Sequence, residues 1–386
     1  MRFTRPAATA LVGVAVAALA TASPAFAGAK FSFLGQFTQV STVATTVPPG
    51  NSPPPSGDGD VNPYGVAVVH HSIGLERRGD VLVSNFNNST NAQGTGTTIV
   101  EISPSGTQTV FAHVPQLTGG TGLTTALAIL PKGFVIVGSL PTTDGTSTTA
   151  TAGALIILNS HGHVVRVLSG GDINGPWDLT AVSRGDDAVV FFTNVLNGTV
   201  VPGANPMVPG TVVDMGSVVR LTLDFGHGFP RVTSNTVIAN AFPERTDPTA
   251  LVLGPTGVGL GRHGTLYVAD TVDSTIRAIP NALFRHSPDG DGFLVSSADP
   301  TVSHLNQPLG LAMAPNGNII TVNGGDGFIV ETTPFGTVVN TQLIDTTPPP
   351  GPGGAGALFG LAIAPHHQGV YFVDDDTNTL NLLGRA

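Results

Sequence analysis

Two sets of side chains recur along this 386-residue chain at intervals too regular to be independent. Asn85, Asn194, Asp270, Asn323 and Asp374, with Ser139 in the corresponding place, each end a short apolar run. Oxygen donors of this kind, gathered round one axis, would hold a hard cation such as calcium. The same residue types also cap strand ends and bond their own turns. One such residue per repeat is what a turn role needs, whereas a metal site rarely needs an equivalent residue from every repeat, so the recurrence favours the turn role. The second set follows a turn-forming entry into an apolar run: Tyr64, Trp177, Thr249 and Leu309, with Phe359 at the equivalent place. Tyr64, Trp177 and Phe359 together would make an aromatic platform for an apolar or sugar-like ligand. Packing at a strand entry accounts for them more simply.

Smaller signals carry less. Gly259-Leu-Gly261-Arg-His-Gly264 spells a dinucleotide-binding fingerprint but leads into a strand, where that motif must link a strand to a helix. Asp289-Gly-Asp291 and Asp374-Asp375-Asp376-Thr377-Asn378 resemble fragments of calcium loops without the closing glutamate. The pairs His70-His71 and His366-His367 fall in turns with no third ligand in reach of the sequence pattern. No Ser/His/Asp order is readable from spacing, because triads assemble in space.

The elements that must position these residues are clearest in Leu305–Val339. Four apolar runs there, Leu309–Ala314, Asn318–Asn323, Phe328–Thr332 and Thr337–Val339, are separated by Pro-Asn-Gly, a Gly-rich turn and Pro-Phe-Gly. This predicts a four-stranded antiparallel meander. A meander with two apolar faces must be stacked between copies of itself, and the copies exist. Gly65, Ala126, Asp178, Ala250, Gly310 and Gly360 mark six units, 61, 52, 72, 60 and 50 residues apart by subtraction. Polar insertions, Pro141–Gly153 and Leu196–Gly216, lengthen two of them. The sixth unit ends after three strands, so a strand from the N-terminus is expected to complete it and close the ring.

Composition agrees. With 50 Gly, 31 Pro and 41% hydrophobic residues, the chain suits many short strands joined by tight turns. Residues 1–27 read as a signal peptide: Arg2 and Arg5, the apolar run Ala10–Ala20, and Ala25-Phe26-Ala27 for cleavage after Ala27. The mature chain is therefore expected to be secreted or periplasmic, without a membrane span. It has no cysteine for disulfides. Loss of Arg2 and Arg5 takes the formal charge from −10 to −12, which leaves no basic footprint for nucleic acid. The domain reading is residues 28–40 as the closing strand, 41–61 as a Pro-rich connector, and 62–386 as propeller blades forming one domain with 28–40, monomeric.

The units NPYGVAVV, GTLYVADTVDSTIRAI, QPLGLAMAPNGNIITVNGGDGFIVETTPFG and LFGLAIAPHHQGVYFVDDDTNTLNLL resemble NHL repeats across roughly Asn62–Leu383. The resemblance implies an all-β, six-bladed propeller of four-stranded antiparallel blades. It specifies a fold more sharply than a reaction. Related lyases of this family are expected to hold zinc with histidines at the inner-strand entries, and those entries here are not histidine. Gluconolactonase and regucalcin-like propellers are expected to hold a divalent metal with an early Glu, Asn at strand entries and Asp at a strand end. Asn62, Asn174, Asp270 and Asp374 match parts of that set, but the first glutamate is Glu76, already past the first entry. The sequence therefore reads first as an exported module that binds or scaffolds an extracellular ligand or protein, with no cofactor. The alternative is a metal-dependent lactonase or related hydrolase at the channel mouth, with calcium as its ion.

Overall fold

The computed structural model describes residues 31–49, 59–117, 119–198, 210–299, 304–347 and 353–386. The signal-peptide reading, residues 50–58 of the connector and 199–209 of the second insertion lie outside the described residues. Residues 32–386 form one compact unit.

Six antiparallel sheets follow one another along the chain. A leading strand β1 (Gln39–Thr45) precedes blade one, made of β2 (Val61–Val68), β3 (Val81–Asn87), β4 (Thr98–Ile102) and β5 (Gln108–His113). Blade two is β6 (Leu123–Ile129), β7 (Val135–Ser139), β8 (Ala154–Leu158) and β9 (Val164–Ser169). Blade three is β10 (Gly175–Arg184), β11 (Asp187–Val195), β12 (Val213–Asp224), β13 (Arg231–Asp247) and β14 (Leu251–Leu253). Blade four is β15 (Pro255–Leu260), β16 (Leu266–Asp270), β17 (Thr275–Ile279) and β18 (Phe293–Ser297). Blade five is β19 (Pro308–Met313), β20 (Ile319–Asn323), β21 (Phe328–Thr332) and β22 (Val338–Leu343); blade six is β23 (Leu358–Ile363), β24 (Gly369–Asp374) and β25 (Thr379–Gly384). The first strand of each blade packs on the first strand of the next, and β23 returns to β2, so the fold is a closed six-bladed propeller.

Closure occurs as the three-strand count of blade six requires: β1 pairs with β25, from Gln39 opposite Gly384 to Thr45 opposite Thr379. The closing strand is Gln39–Thr45, displaced from the expected 28–40 into the expected connector. The apolar residues that suggested a strand, Phe33, Leu34 and Phe37, instead surround a short 3-10 turn, Leu34–Gln36. They bury their side chains in the seam between blades five and six, beside Ile320, Ile329 and Phe372. The β-branched, polar run VSTVAT is what pairs.

Blade four also departs from expectation. Its inner strand enters at Pro255-Thr256-Gly257, with Pro255 opposite Asp270. Asp247 ends β13 and pairs with Leu251 of β14, so Thr249 belongs to the outer turn of blade three and not to an inner-strand entry. The anchor is Gly257, and the spacings on either side of it become 79 and 53 residues. The excess over a usual blade is the 17-residue strand β13, which extends blade three outward.

Each inner strand carries the same irregularity. Pro63, Pro176, Pro255, Pro308 and Leu358 face Asn85, Asn194, Asp270, Asn323 and Asp374, and the register then shifts by a bulge. Proline suits this position because the bulge removes the need for its missing donor. The glycine that follows lets neighbouring inner strands approach. A Cβ on Gly310 would run into the carbonyl of Phe359, and one on Gly360 into that of Tyr64. Hydroxyls then stitch adjacent blades. Ser84 Oγ donates to the Thr124 carbonyl at 2.8 Å, Thr193 Oγ1 to that of Thr256 at 2.7 Å, and Thr271 Oγ1 to that of Pro308 at 2.8 Å.

Candidate functional site

The strand entries and the ends of the second strands lie at the same end of the propeller, where the sequence placed both candidate sets. The aromatic set does come together there. Tyr64 and Phe359 stack with ring centroids 4.0 Å apart, Tyr64 stacks on Phe86 at 4.5 Å, and Trp177 lies 6.0 Å from Tyr64 and 6.4 Å from Phe359. All three are buried, and Leu309, Leu196 and Leu251 pack into the same cluster. The rings use their faces on one another, so they form a plug across the axis and not an open platform. Thr249 is absent from this ring; Thr256 takes that position.

Each member of the polar set makes hydrogen bonds of its own. The Asn62 backbone N–H donates to Asn378 Oδ1 at 2.7 Å. Asn174 donates its N–H to Asn194 Oδ1 at 2.9 Å and its side-chain amide to Asn197 Oδ1 at 2.6 Å. Asp270 Oδ1 accepts the N–H of Val272 at 3.0 Å and of Asp273 at 3.2 Å. Asp374 Oδ1 accepts the Thr377 N–H at 3.1 Å. These are turn and strand-end bonds, and the one from Asn62 joins blade one to blade six. Among the described residues, no three Asp, Glu or His side chains gather in an arrangement that could hold a metal ion.

A channel opens at the opposite end. Its inner segment, about 300 Å³, runs between all six inner strands below the aromatic plug, with walls that include Val66, Leu127, Leu179, Val258, Leu311 and Leu361. It continues into a wider segment of about 780 Å³ bounded by blades one, two, three and six, with His70, Arg78, His366 and His367 at its rim. The two segments share Val66, Leu127, Leu179, Thr180 and Ala362. The histidine pairs set aside in the sequence thus flank the entrance of a channel. Sequence reasoning missed this because it looked for metal ligands and the two turns belong to different blades.

One ionisable group lines the inner segment. Asp178 occupies the place that is glycine in blades one, four, five and six. Its carboxyl reaches across to blade four: Oδ2 accepts the Val258 N–H at 3.1 Å and Oδ1 accepts the Leu179 N–H at 2.8 Å. Burial outweighs these bonds and pushes its pKa up to about 8. The carboxyl is therefore largely protonated near neutrality and has a proton to donate inside the channel. The sequence showed this only as the substitution of Asp for Gly at an anchor position.

Burial likewise raises Asp270 to about 7, and raises Asp374 to about 6 and Asp375 to about 7 with help from neighbouring aspartates. The sign of the linkage follows. In the unfolded chain these groups lose their protons near pH 4, but in the fold they hold them to higher pH, so stability falls as pH rises from about 4 to 8. For the fully buried Asp178 and Asp270 the slope has an upper bound of about 1.4 kcal/mol per pH unit and group. The urea midpoint is expected to be higher at pH 5 than at pH 8, and Asp178→Gly is expected to flatten the difference. A midpoint that rises from pH 5 to pH 8 would contradict this.

The sequence matches no family model and no curated protein. Solved structures do resemble it. A gluconolactonase from Xanthomonas campestris superposes with a TM-score of 0.53 at 15% identity, over 90% of this chain and 89% of that one. A putative gluconolactonase gives 0.51 at 15% identity, over 92% and 97%. A virginiamycin B lyase from Staphylococcus aureus gives 0.50 at 13% identity, over 90% and 99%. At these identities the likeness is one of fold, and the chain is a β-propeller of the architecture that gluconolactonases share.

Proposed function

We propose that this chain is an exported, NHL-type propeller that takes a small, elongated molecule with both polar and apolar parts end-on into its axial channel. The carrying observation is the shape of that channel: sealed by Tyr64, Trp177 and Phe359 at one end, open at the other, and lined along its inner length by Thr125, Asp178 and Thr180 set among aliphatic side chains. Its volume falls within the range of small-molecule sites. The ionisable groups are placed at the two ends, with Asp178 at the inner end and Arg78 and the histidines at the rim, and Thr125 and Thr180 lie between them. A ligand with a hydrogen-bond acceptor at one end and an acidic or polar group at the other fits that distribution.

Hydrolysis of such a ligand is the second reading. The fold shared with two gluconolactonases supports it better than it supports a scaffold without a small-molecule site. Under this reading the protonated Asp178 is the group available to donate to a carbonyl or leaving oxygen. A calcium site made of Asn62, Asn174, Asp270 and Asp374 gains no support from their separate bonding.

One experiment addresses both. A δ-lactone with a medium alkyl tail is titrated against the protein, with thermal shift for binding and acid release for hydrolysis. Ala362→Trp, which places an indole where the two channel segments meet, is expected to abolish the shift. Binding untouched by Ala362→Trp would sink the channel reading. Acid release that is lost in Asp178→Asn while binding persists would establish the hydrolase.

A further inference from the structure

The turn between β2 and β3 of blade one runs from Val69 to Asp80, longer than the corresponding turns of the other blades. It reaches sideways onto blade two, where the Leu75 N–H donates to the Ser160 carbonyl at 2.8 Å. The next residue, Glu76, turns inward and is fully buried (0% exposed). Its carboxylate lies against Gly133, where an added Cβ would come within 2.9 Å of Oε2. Neither carboxylate oxygen has a hydrogen-bond partner.

The surrounding charges make this arrangement stranger. Glu101 of β4, also buried, is close enough to repel the Glu76 charge. One oxygen of Glu101, Oε1, accepts the Arg77 N–H at 2.6 Å. Asp80 adds further negative charge beside Glu101. The charge of Arg77 attracts Glu101 and Asp80, but among the described residues no cation in the neighbourhood bonds Glu76. The Arg77 guanidinium donates to the carbonyls of Gly74 at 2.8 Å and Glu76 at 3.1 Å. Lys132, adjacent to Gly133, turns away to the Phe225 carbonyl at 2.7 Å and to Asp186 at 3.1 Å. Arg78 and His161 lie on exposed parts of the facing turns.

A buried carboxylate without donors is costly. Burial and the nearby Glu101 push the Glu76 pKa up to about 8, and protonation removes the charge, but it leaves the carboxyl hydrogen without an acceptor. What the polypeptide does not supply must come from outside it. We infer that Glu76 and Glu101 hold a divalent cation at the seam between blades one and two, at the channel-entrance end of the propeller. Two carboxylates are hard oxygen donors, and calcium, which completes its shell with water and carbonyl oxygens, is the ion they suit. The ion fastens the long turn to blade two beside the channel entrance, far from the strand-end aspartates.

Thermal unfolding of the full chain at pH 7.5, after EDTA treatment and dialysis, provides the test, with calcium chloride as the probe and bound calcium counted by atomic emission. The wild type is expected to gain melting temperature saturably and to bind one ion. Glu76→Gln is expected to lose both effects, and Glu101→Gln to weaken binding by at least about tenfold. Asp376→Asn, on the acidic turn at the opposite end, should respond as the wild type does. Three outcomes would each overturn the assignment: no calcium response, a response that survives Glu76→Gln, or a response lost in Asp376→Asn. Stabilisation by acidification that is reduced in Glu76→Gln, without any calcium dependence, would show that a proton occupies the seam and would overturn it too.

Discussion

Glu331→Gln is expected to lower the stability of the chain by about 3 kcal/mol and to release its N-terminal segment. Glu331, on β21, is fully buried, and its carboxylate accepts five hydrogen bonds. Three come from the N-terminal segment: Ser32 Oγ at 2.7 Å, the Phe33 N–H at 2.9 Å and the Leu34 N–H at 2.8 Å. Two come from the turn of its own blade, Asn316 Nδ2 at 2.9 Å and Asn318 Nδ2 at 2.6 Å. Glutamine would set an NH₂ against a ring of donors and remove the charge that strengthens each bond. Although burial opposes ionisation, these donors hold the Glu331 carboxyl below the usual range. Its contribution is therefore present above about pH 4.5 and is lost as pH falls through the lowered value. Urea midpoints measured at pH 7 and pH 3.5 should differ less in Glu331→Gln than in the wild type. Limited proteolysis should cut near Phe33–Thr38 in the variant first. Equal midpoints at pH 7 would show that Glu331 does not latch the segment.

Phe359→Ala should cost about 3–4 kcal/mol and open the plugged end of the axis. The ring stacks on Tyr64 and lies beside Trp177, and its removal takes away both contacts and leaves a cavity that its neighbours cannot fill without moving. Trp177 is the only tryptophan in the chain, so its emission reports on the plug directly. In the wild type the emission is expected to be blue-shifted and shielded from acrylamide. In Phe359→Ala it should move to the red, with a several-fold larger quenching constant. Unchanged emission and quenching would mean that the remaining rings seal the axis without Phe359. Channel binding entered from the other end should persist in this variant, which separates the plug from the ligand site.

The repeat was legible because its marks are local. The Pro-x-Gly entry, the polar strand end and the Gly turn each fix backbone geometry over a few residues, and they recur. What escaped was set by partners far away in sequence. Thr249 was assigned to an entry because Asp247-Pro248 has the right spelling, yet the true entry at Pro255 is fixed by pairing with Asp270. Phe33, Leu34 and Phe37 have strand-like spacing, but the seam between blades five and six and the Glu331 carboxylate draw them into a turn. The aromatic residues occupy equivalent places in the repeat and lie together. Whether they would be a platform or a plug depended on ring orientation, which no spacing contains. Asp178 and Glu76 carry the most unusual environments in the fold, and each is an ordinary acidic residue in the sequence.

Pairing β1 with β25 also sets a timetable. Gln39 meets Gly384, so β1 cannot be used until a partner about 345 residues later in the chain has been added. At ordinary rates of synthesis that interval is about 20–70 s. Throughout it, blades one to five can form by local hairpins, while a β-branched strand of seven residues waits without a neighbour. A nascent chain of this protein is thus an open arc with a free edge at each end, and any factor that keeps extended segments apart will act on it during that wait.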